Sequence, residues 1–310
     1  MFYEFSVCLL SYRNKQTMKI AILSRSPASY STKRLVEAGE TRGHEIVVLD
    51  HLKCVLVIEQ GKPHIYYKGI EVEGVNAVIP RIGASVTFYG AAVVRQFEMM
   101  KIFTAVESQA LVRSRDKLRC LQLLAKAGIP IPKSAFAYSP KNVDNVIDQV
   151  GGIPVIIKLL EGTQGLGVIL AETRISAKSV IEAFLDVQVN ILVQEFVKEA
   201  DGADVRAFVV DGQVVGAMLR KGAEGDFRSN LHRGGTSEVV KLTTQEKALA
   251  VKSVKHLGLG IAGVDMLPTK RGYIVNEVNS SPGLEGIEKA TGNDIAGKII
   301  EYIERNEHTN

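Results

Sequence analysis

The sequence predicts an α/β domain followed by a larger α+β region, and three observations carry that prediction. First, "MKIAIL" (18–23), the helical pattern "YSTKRLVEAGETRG" and "HEIVVLD" (44–50) follow one another as strand, helix and strand. That spacing is a βαβ unit, which requires parallel strands. Second, beyond residue 113 the apolar runs are short and joined by turns, which reads as antiparallel pairing. Third, 310 residues with 46% hydrophobic and 23% charged side chains suit a soluble enzyme of two domains or lobes.

The elements follow in order. "MFYEFSVCLLSYRNKQT" precedes Met18, lacks a basic n-region, and its apolar run is too short to span a membrane. Residues 1–17 are therefore expected to be an upstream extension, poorly ordered. "NAVIPRIG" (76–83) is a further strand that leaves the sheet at Arg81, so residues 18–112 form the N-terminal domain. "RSRDKLRCLQLLAKAGIPIP" (113–132) reads as one helix capped by Ser114 and ended by Gly128 and Pro130. "PVIIKLLEGTQGLGVILAE" (154–172) is strand, glycine-bearing turn and strand, and "NILVQEFV" (190–197) is another strand. "AFVVDGQVVGAML" (207–219) is a hairpin on Asp211-Gly212, a type I′ turn signal. "TTQEKALAVKSVKHLGL" (243–259) is an amphipathic helix capped by Thr243 or Thr244, and "AGVDML" and "YIVNEVN" are two last strands. Residues 113–310 form the second region, with a lid lobe at about 133–198 and a C-terminal lobe at about 199–310.

Charge and cysteines narrow the classes. A net charge of +4 with no basic run argues against direct nucleic-acid binding. No apolar run reaches the roughly 18 residues of a spanning helix, so no membrane partner is expected. Cys8, Cys54 and Cys120 are scattered, with no zinc spacing, which implies packing roles and a reducing, cytoplasmic setting.

Four constellations carry candidate chemistry. Glu277 and Asn279 lie two apart on one strand face, to which Val275 is also assigned, with Asn276 and Val278 opposite. A hairpin around Lys270-Arg271-Gly272 brings Asp265 beside them, and two carboxylates with one amide oxygen suit Mg²⁺ or Mn²⁺. A solvated sheet face carries the same residue types, but "NSSPG" directly after them forces the chain away and opens a cleft. Lys158 interrupts an apolar strand and is aimed at a phosphate or snorkels from an edge. The turn "EGTQGLG" after it, with Gly162, Gly165 and Gly167, is open enough to approach an anion or is an ordinary hairpin. "LVQEFVKEADGADVR" offers Glu195 for adenine and Asp204 for ribose hydroxyls, or is a plain strand end and turn. Finally, Arg220, Lys221 and "EGDFRSNLHRGG" (224–235) form a triphosphate cradle or a basic surface loop. A fixed cation at about 4 Å from a phosphate oxygen contributes about 4 kcal/mol at an effective dielectric near 20.

In this order, "PVIIKLL", the glycine turn, "QEFV", the hairpin, "RSN…GG", Asp265 and "NEVNSSPG" resemble the ATP-grasp superfamily of carboxylate–amine ligases. "IPRIG", "RDKLR", "EGTQGLGV", "EGDFRSNLHRGG" and "SPGLEGIEKATG" resemble the RimK family in particular, over nearly all of the chain from Met18. The resemblance implies an ATP-grasp fold behind a parallel-sheet pre-ATP-grasp domain, and an enzyme that adds glutamate to the C-terminus of a ribosomal small-subunit protein. It implies ATP and two Mg or Mn ions as cofactors, L-glutamate and an acceptor protein as partners, and a homo-oligomer. Lys117 and Lys158 would contact phosphates, Glu195 and Phe196 adenine, Asp204 ribose, and Arg228, Ser229 and Asn230 the triphosphate. Asp265, Glu277 and Asn279 would hold the metals, while Arg220, Arg228 and Asn230 would act on the transferring phosphoryl group. Gly234-Gly235 would pass close to the intermediate, Arg81 would face the acidic substrate, and His232 and Arg233 would meet the acceptor or face water. The same chemistry on an amino-group carrier protein or a pterin-type cofactor, and a non-catalytic ATP-binding regulator, are the alternatives.

Overall fold

The structure, a computed structural model, describes residues 17–138, 143–160, 167–223, 225–229 and 234–307. It opens with β1 (Lys19–Leu23), α1 (Tyr30–Thr41) and β2 (Glu45–Leu49). Ser29 caps α1 by accepting from the Thr32 amide, satisfying one of the orphan donors of its first turn. β3 (Cys54–Val57), β4 (His64–Tyr67) and β5 (Ile70–Glu71) then make a small antiparallel sheet that the sequence reading passed over. β6 (Ala77–Pro80), α2 (Thr87–Met99) and β7 (Phe103–Thr104) complete a parallel sheet of order β2-β1-β6-β7. β1 is central and almost wholly buried, which is why its five residues carry no alternation.

The expected helix over 113–132 is divided. α3 (Ser108–Arg115) ends where Asp116 takes extended backbone (φ −75°, ψ 98°), and α4 (Lys117–Lys126) begins there. Asp116, which accepts from the Arg119 amide, is the cap; Ser114 lies inside α3 and donates to the Leu111 carbonyl.

β8 (Ser134–Phe136), α5 (Val143–Gln149), β9 (Val155–Leu159), β10 (Val168–Ala171), α6 (Arg174–Asp186) and β11 (Ile191–Glu195) form the next unit. Its antiparallel sheet runs β10-β9-β11-β8. Val155, Ile157, Ile181 and Val193 bury against α5 and α6 as a core of their own. The alternate residues Ile156, Lys158, Leu192 and Gln194 face the other way, into a cleft.

β12 (Ala203–Val210), β13 (Gln213–Lys221), β14 (Thr236–Val239), α7 (Thr244–Leu257), β15 (Ile261–Thr269), β16 (Gly272–Asn279), α8 (Glu285–Thr291) and α9 (Ile295–Asn306) build the last unit. Its sheet order is β14-β13-β12-β15-β16, all antiparallel. The β12–β13 turn carries φ of 50° at Asp211 and 68° at Gly212, as a type I′ turn requires. Thr243 and Glu246 form a capping box at α7. One continuous core joins this sheet to the N-terminal one, because α9 returns to pack on α1. Phe97 and Phe208 are fully buried in it, each contributing about 2–3 kcal/mol by removal from water. Among the described residues, no helix is long and apolar enough to cross a membrane.

Candidate active site

The β10-β9-β11-β8 sheet and the C-terminal sheet enclose a cleft of about 800 Å³. Its floor is one face of the C-terminal sheet. Strand alternation puts Arg220 (β13), Asp204 and Arg206 (β12), Asp265 (β15) and Glu277 and Asn279 (β16) on that face. The pairing register sets them side by side: Asp204 lies opposite Arg220, Arg206 opposite Asp265, and Asp265 opposite Glu277.

A register shift beside Asp265 changes one detail. Met266 pairs with Val275, so Asn276 is the extra residue of a bulge on β16. Val275 therefore points into the core, fully buried, and not onto the face of Glu277, while Asn276 lines the cleft. Bulges re-aim side chains in this way, and this one gives Lys158 its partner: Nζ donates to Asn276 Oδ1 at 2.9 Å.

The floor is a charge network. Arg206 donates to both oxygens of Asp265 at 2.6 Å. Arg220 donates to Asp204 Oδ1 and Oδ2 at 2.7 and 2.5 Å and reaches Asp265 Oδ2 at 2.9 Å. Burial alone would push Asp265 up, but Arg206 and Arg220 hold its carboxyl below the ordinary carboxylate range. Asp204 goes the other way, raised by burial and by the neighbouring charge of Asp265, with Arg220 and Ser229 opposing. Asn279 Nδ2 donates to Asp265 Oδ2 at 3.4 Å, which leaves its amide oxygen available to accept or coordinate. The Glu277 carboxylate is exposed to the cleft and makes no hydrogen bond or ion pair among the described residues. An all-oxygen donor set of this kind fits a hard divalent cation.

The opposite wall supplies ammonium groups. Burial pushes Lys158 down to about 8, helped by the charge of Lys117 and resisted by Glu277. Lys117, at the start of α4, donates to the carbonyls of Leu159 and Leu160 at 3.0 and 2.8 Å, and burial lowers its pKa with Glu277 opposing. These bonds bridge α4 to the end of β9. Glu195 Oε1 accepts from the Lys133 amide at 2.8 Å, and Glu195, Phe196 and Val197 edge the cleft. Arg228 chelates the Asp226 carboxylate at 2.8 and 3.0 Å and stacks 5.2 Å from the Phe227 ring. Its loop is seated on Gly222, where a Cβ would lie 2.5 Å from the Arg228 carbonyl oxygen. Gly235 also lines the cleft.

The cleft thus gathers Lys117, Lys158, Glu195, Phe196, Asp204, Arg220, Arg228, Ser229, Asp265, Glu277 and Asn279. Asn230, His232, Arg233, Gly162 and Gly165 lie outside the described residues. Arg206 has no place in the sequence-based expectation, and Asn276, expected on the opposite face, lines the cleft instead. Arg206 had one signal, a cation two residues past Asp204 on an apolar strand; Asn276 had none, because the bulge reverses its expected face.

Two family models match the chain: a RimK pre-ATP-grasp domain over residues 18–111 and a RimK-like ATP-grasp domain over 114–303. A protein of Vibrio cholerae serotype O1 named probable alpha-L-glutamate ligase is 61% identical over 93% of this chain and 96% of its own length. The fold is that of the ATP-grasp ligase PsnB solved with a minimal precursor, at TM-score 0.73 and 24% identity over 93% of this chain and 98% of the other. It is also that of D-alanine–D-alanine ligase from Bacillus anthracis, at TM-score 0.65 and 18% identity over 94% and 97%. With its parallel N-terminal sheet, its two antiparallel sheets around one cleft and its acidic floor facing two lysines, the chain belongs to the RimK-like ATP-grasp family of ATP-dependent ligases.

Proposed function

We propose that the chain joins L-glutamate, through its α-amine, to an acceptor carboxylate at the expense of ATP, the acceptor being a protein C-terminus such as that of a ribosomal small-subunit protein. The observation that carries this reading is the juxtaposition of Lys117 and Lys158 with Asp265, Glu277 and Asn279 around one cleft, in a chain closely similar to a protein named as a glutamate ligase.

The reaction runs in two steps. An acceptor carboxylate oxygen attacks the γ-phosphorus of ATP, the bond to the β–γ bridging oxygen breaks, and ADP leaves an acyl phosphate behind. The glutamate amine, having lost a proton, attacks the acyl carbon, and the tetrahedral adduct expels phosphate to leave an amide. Lys117 and Lys158 hold phosphate oxygens, Glu195 and Phe196 edge the adenine, and Asp204 meets the ribose hydroxyls. Arg228 with Ser229 and Asn230 lines the triphosphate, and Arg220 and Arg228 stabilise the transferring group. Asp265, Glu277 and Asn279 would hold two Mg²⁺ or Mn²⁺ ions, which supply charge neutralisation at the β- and γ-phosphates. Arg206 and Arg220 keep Asp265 ionised and oriented for that task. The lid sheet excludes water, which would hydrolyse the acyl phosphate. The buried, unpaired thiols of Cys54 and Cys120 fit a reducing cytoplasm.

The test is mass spectrometry of candidate acceptors incubated with the enzyme, ATP and glutamate. Ribosomal small-subunit proteins are expected to gain glutamate residues. Gain on an amino-group carrier protein or a pterin cofactor instead would keep the chemistry and replace the acceptor, and gain on none would leave a nucleotide-binding regulator.

A further inference from the structure

In the N-terminal sheet, β2 lies on one side of β1 and β6 on the other. Open parallel sheets bind ligands at such a switch point, outside the carboxyl ends of the strands. Three arginines meet there. Arg25 follows β1, Arg81 follows β6, and Arg115 enters from the end of α3. Arg115 Nη2 donates to the carbonyl of Ile82 at 2.6 Å, and Arg25 Nη2 lies 3.4 Å from where a Cβ on Gly83 would stand.

None of these guanidiniums forms an ion pair among the described residues. Arg34, Arg42, Arg206, Arg220 and Arg228 are buried or half-buried, and each pairs with a carboxylate. Arg81 and Arg115 are half-buried too, and neither forms an ion pair among the described residues. The Arg81 amide donates to the Leu23 carbonyl, but its guanidinium has no hydrogen-bond partner among the described residues, and Arg115 Nε is buried without one. Burial and the adjoining Arg115 cation push Arg81 down to about 10. The nearby Asp50 carboxylate is already engaged, by the Leu52 amide at 3.2 Å and Lys53 Nζ at 3.3 Å. A half-buried pair of like charges with an open donor costs stability unless an anion completes it. The cluster adjoins the cleft through the chain itself: Arg115 stands between Ser114 and Lys117, both of which line it.

We propose that Arg81 and Arg115, with Arg25 at the rim, form a subsite for a substrate carboxylate other than the one being activated. The inference rests on the ligase reading, in which both substrates bring such a group: free glutamate keeps two carboxylates beside its reacting amine, and an acceptor ending in glutamate keeps its spare one. The planar fork of Arg matches a carboxylate with two parallel hydrogen bonds, and a flexible ammonium does not.

The experiment uses Arg81→Met, Arg115→Met and the conservative Arg81→Lys. ADP release is measured while ATP, L-glutamate and a synthetic peptide ending in glutamate are varied in turn. Both methionine variants are expected to raise the KM of one carboxylate substrate roughly tenfold or more, with the KM of ATP little changed and Arg81→Lys intermediate. A rise for glutamate assigns the subsite to the amino acid, and a rise for the peptide assigns it to the acceptor. Calorimetric titration of L-glutamate and of the peptide, with a non-hydrolysable ATP analogue bound, reads the same subsite without turnover. Weaker binding of either probe in the variants supports the subsite, and unchanged affinity for both overturns it. ADP release by the wild type that ignores glutamate would sink the ligase reading by itself and leave the calorimetric comparison to decide the subsite.

Discussion

Arg206 and Asp265 face each other across β12 and β15 and are joined by two parallel hydrogen bonds of 2.6 Å. The pair fixes both carboxylate oxygens of a residue that sits beside Glu277, so the orientation of the acidic face of the cleft depends on a cation two strands away from β16.

Arg206→Met is expected to lower unfolding stability by about 2 kcal/mol, below the 3–5 of a fully orphaned buried charge, because Arg220 still reaches Asp265. Denaturant titration reads this. The double variant Arg206→Met/Asp265→Leu is expected to regain part of the loss while staying inactive. A single variant as stable as the wild type would mean that the pair holds nothing in place.

Lys158 sets a pH dependence. Its pKa of about 8 lies below the ordinary 10.5, so the folded protein releases this proton before the unfolded chain does. Between those values the unfolded chain binds more protons, and the Lys158 contribution to stability rises with pH. Phosphate binding needs the charged form, so nucleotide affinity is expected to fall as pH rises past about 8. Calorimetry at pH 8 to 9 in buffers of different ionisation enthalpy is expected to show proton uptake on binding. Arg in place of Lys158 removes that uptake; its persistence would assign the proton elsewhere.

Gly222→Ala tests the seating of the Arg228 loop. The new Cβ would meet the backbone oxygens of Arg228 and Asp226 at 2.5 and 2.6 Å, and backbone cannot swing away as a side-chain tip can. The KM of ATP is expected to rise several-fold and kcat to fall with it, because the loop carries Arg228, placed in the proposed reaction on both the triphosphate and the transferring group. An unchanged KM would separate this loop from the nucleotide.

Burial pushes the thiols of Cys54 and Cys120 up to about 11 and about 12. Little thiolate exists at neutral pH, so iodoacetamide at pH 7.5 is expected to leave both unmodified in the native protein and to label both in denaturant. Peptide mass mapping checks it. Rapid native labelling of Cys120 would mean that the cleft wall opens.

What the sequence revealed follows the reach of each interaction. The Asp211-Gly212 turn and the Thr243 cap are local chemistry and were legible residue by residue. Lys158 announced itself as a charge within an apolar strand, and Asp265 met Glu277 because a short hairpin leaves few ways to pair. The break at Asp116 was hidden, since helical periodicity carries through it and only the cap geometry marks it. The small β3–β5 sheet escaped because its strands are four, four and two residues long, too short for a periodicity to show. The Arg206–Asp265 pair joins residues 59 apart, and α9 packs on α1 across most of the chain; no sequence window spans either. The Asn276 bulge moved one residue from the core side to the cleft, which alternation alone does not foresee.

Coupling of ATP cleavage to bond formation with glutamate in this cleft is read by measuring ADP and peptide product together, with ATP, L-glutamate and a glutamate-terminated peptide supplied singly, in pairs and all at once, for the wild type and Glu277→Ala. Sustained ADP release is expected only in the complete mixture with Mg²⁺, equimolar with glutamate joined to peptide, and lost in Glu277→Ala. ADP release that is indifferent to glutamate would show that the cleft is not a glutamate ligase, and wild-type turnover in Glu277→Ala would remove Glu277 from the reaction.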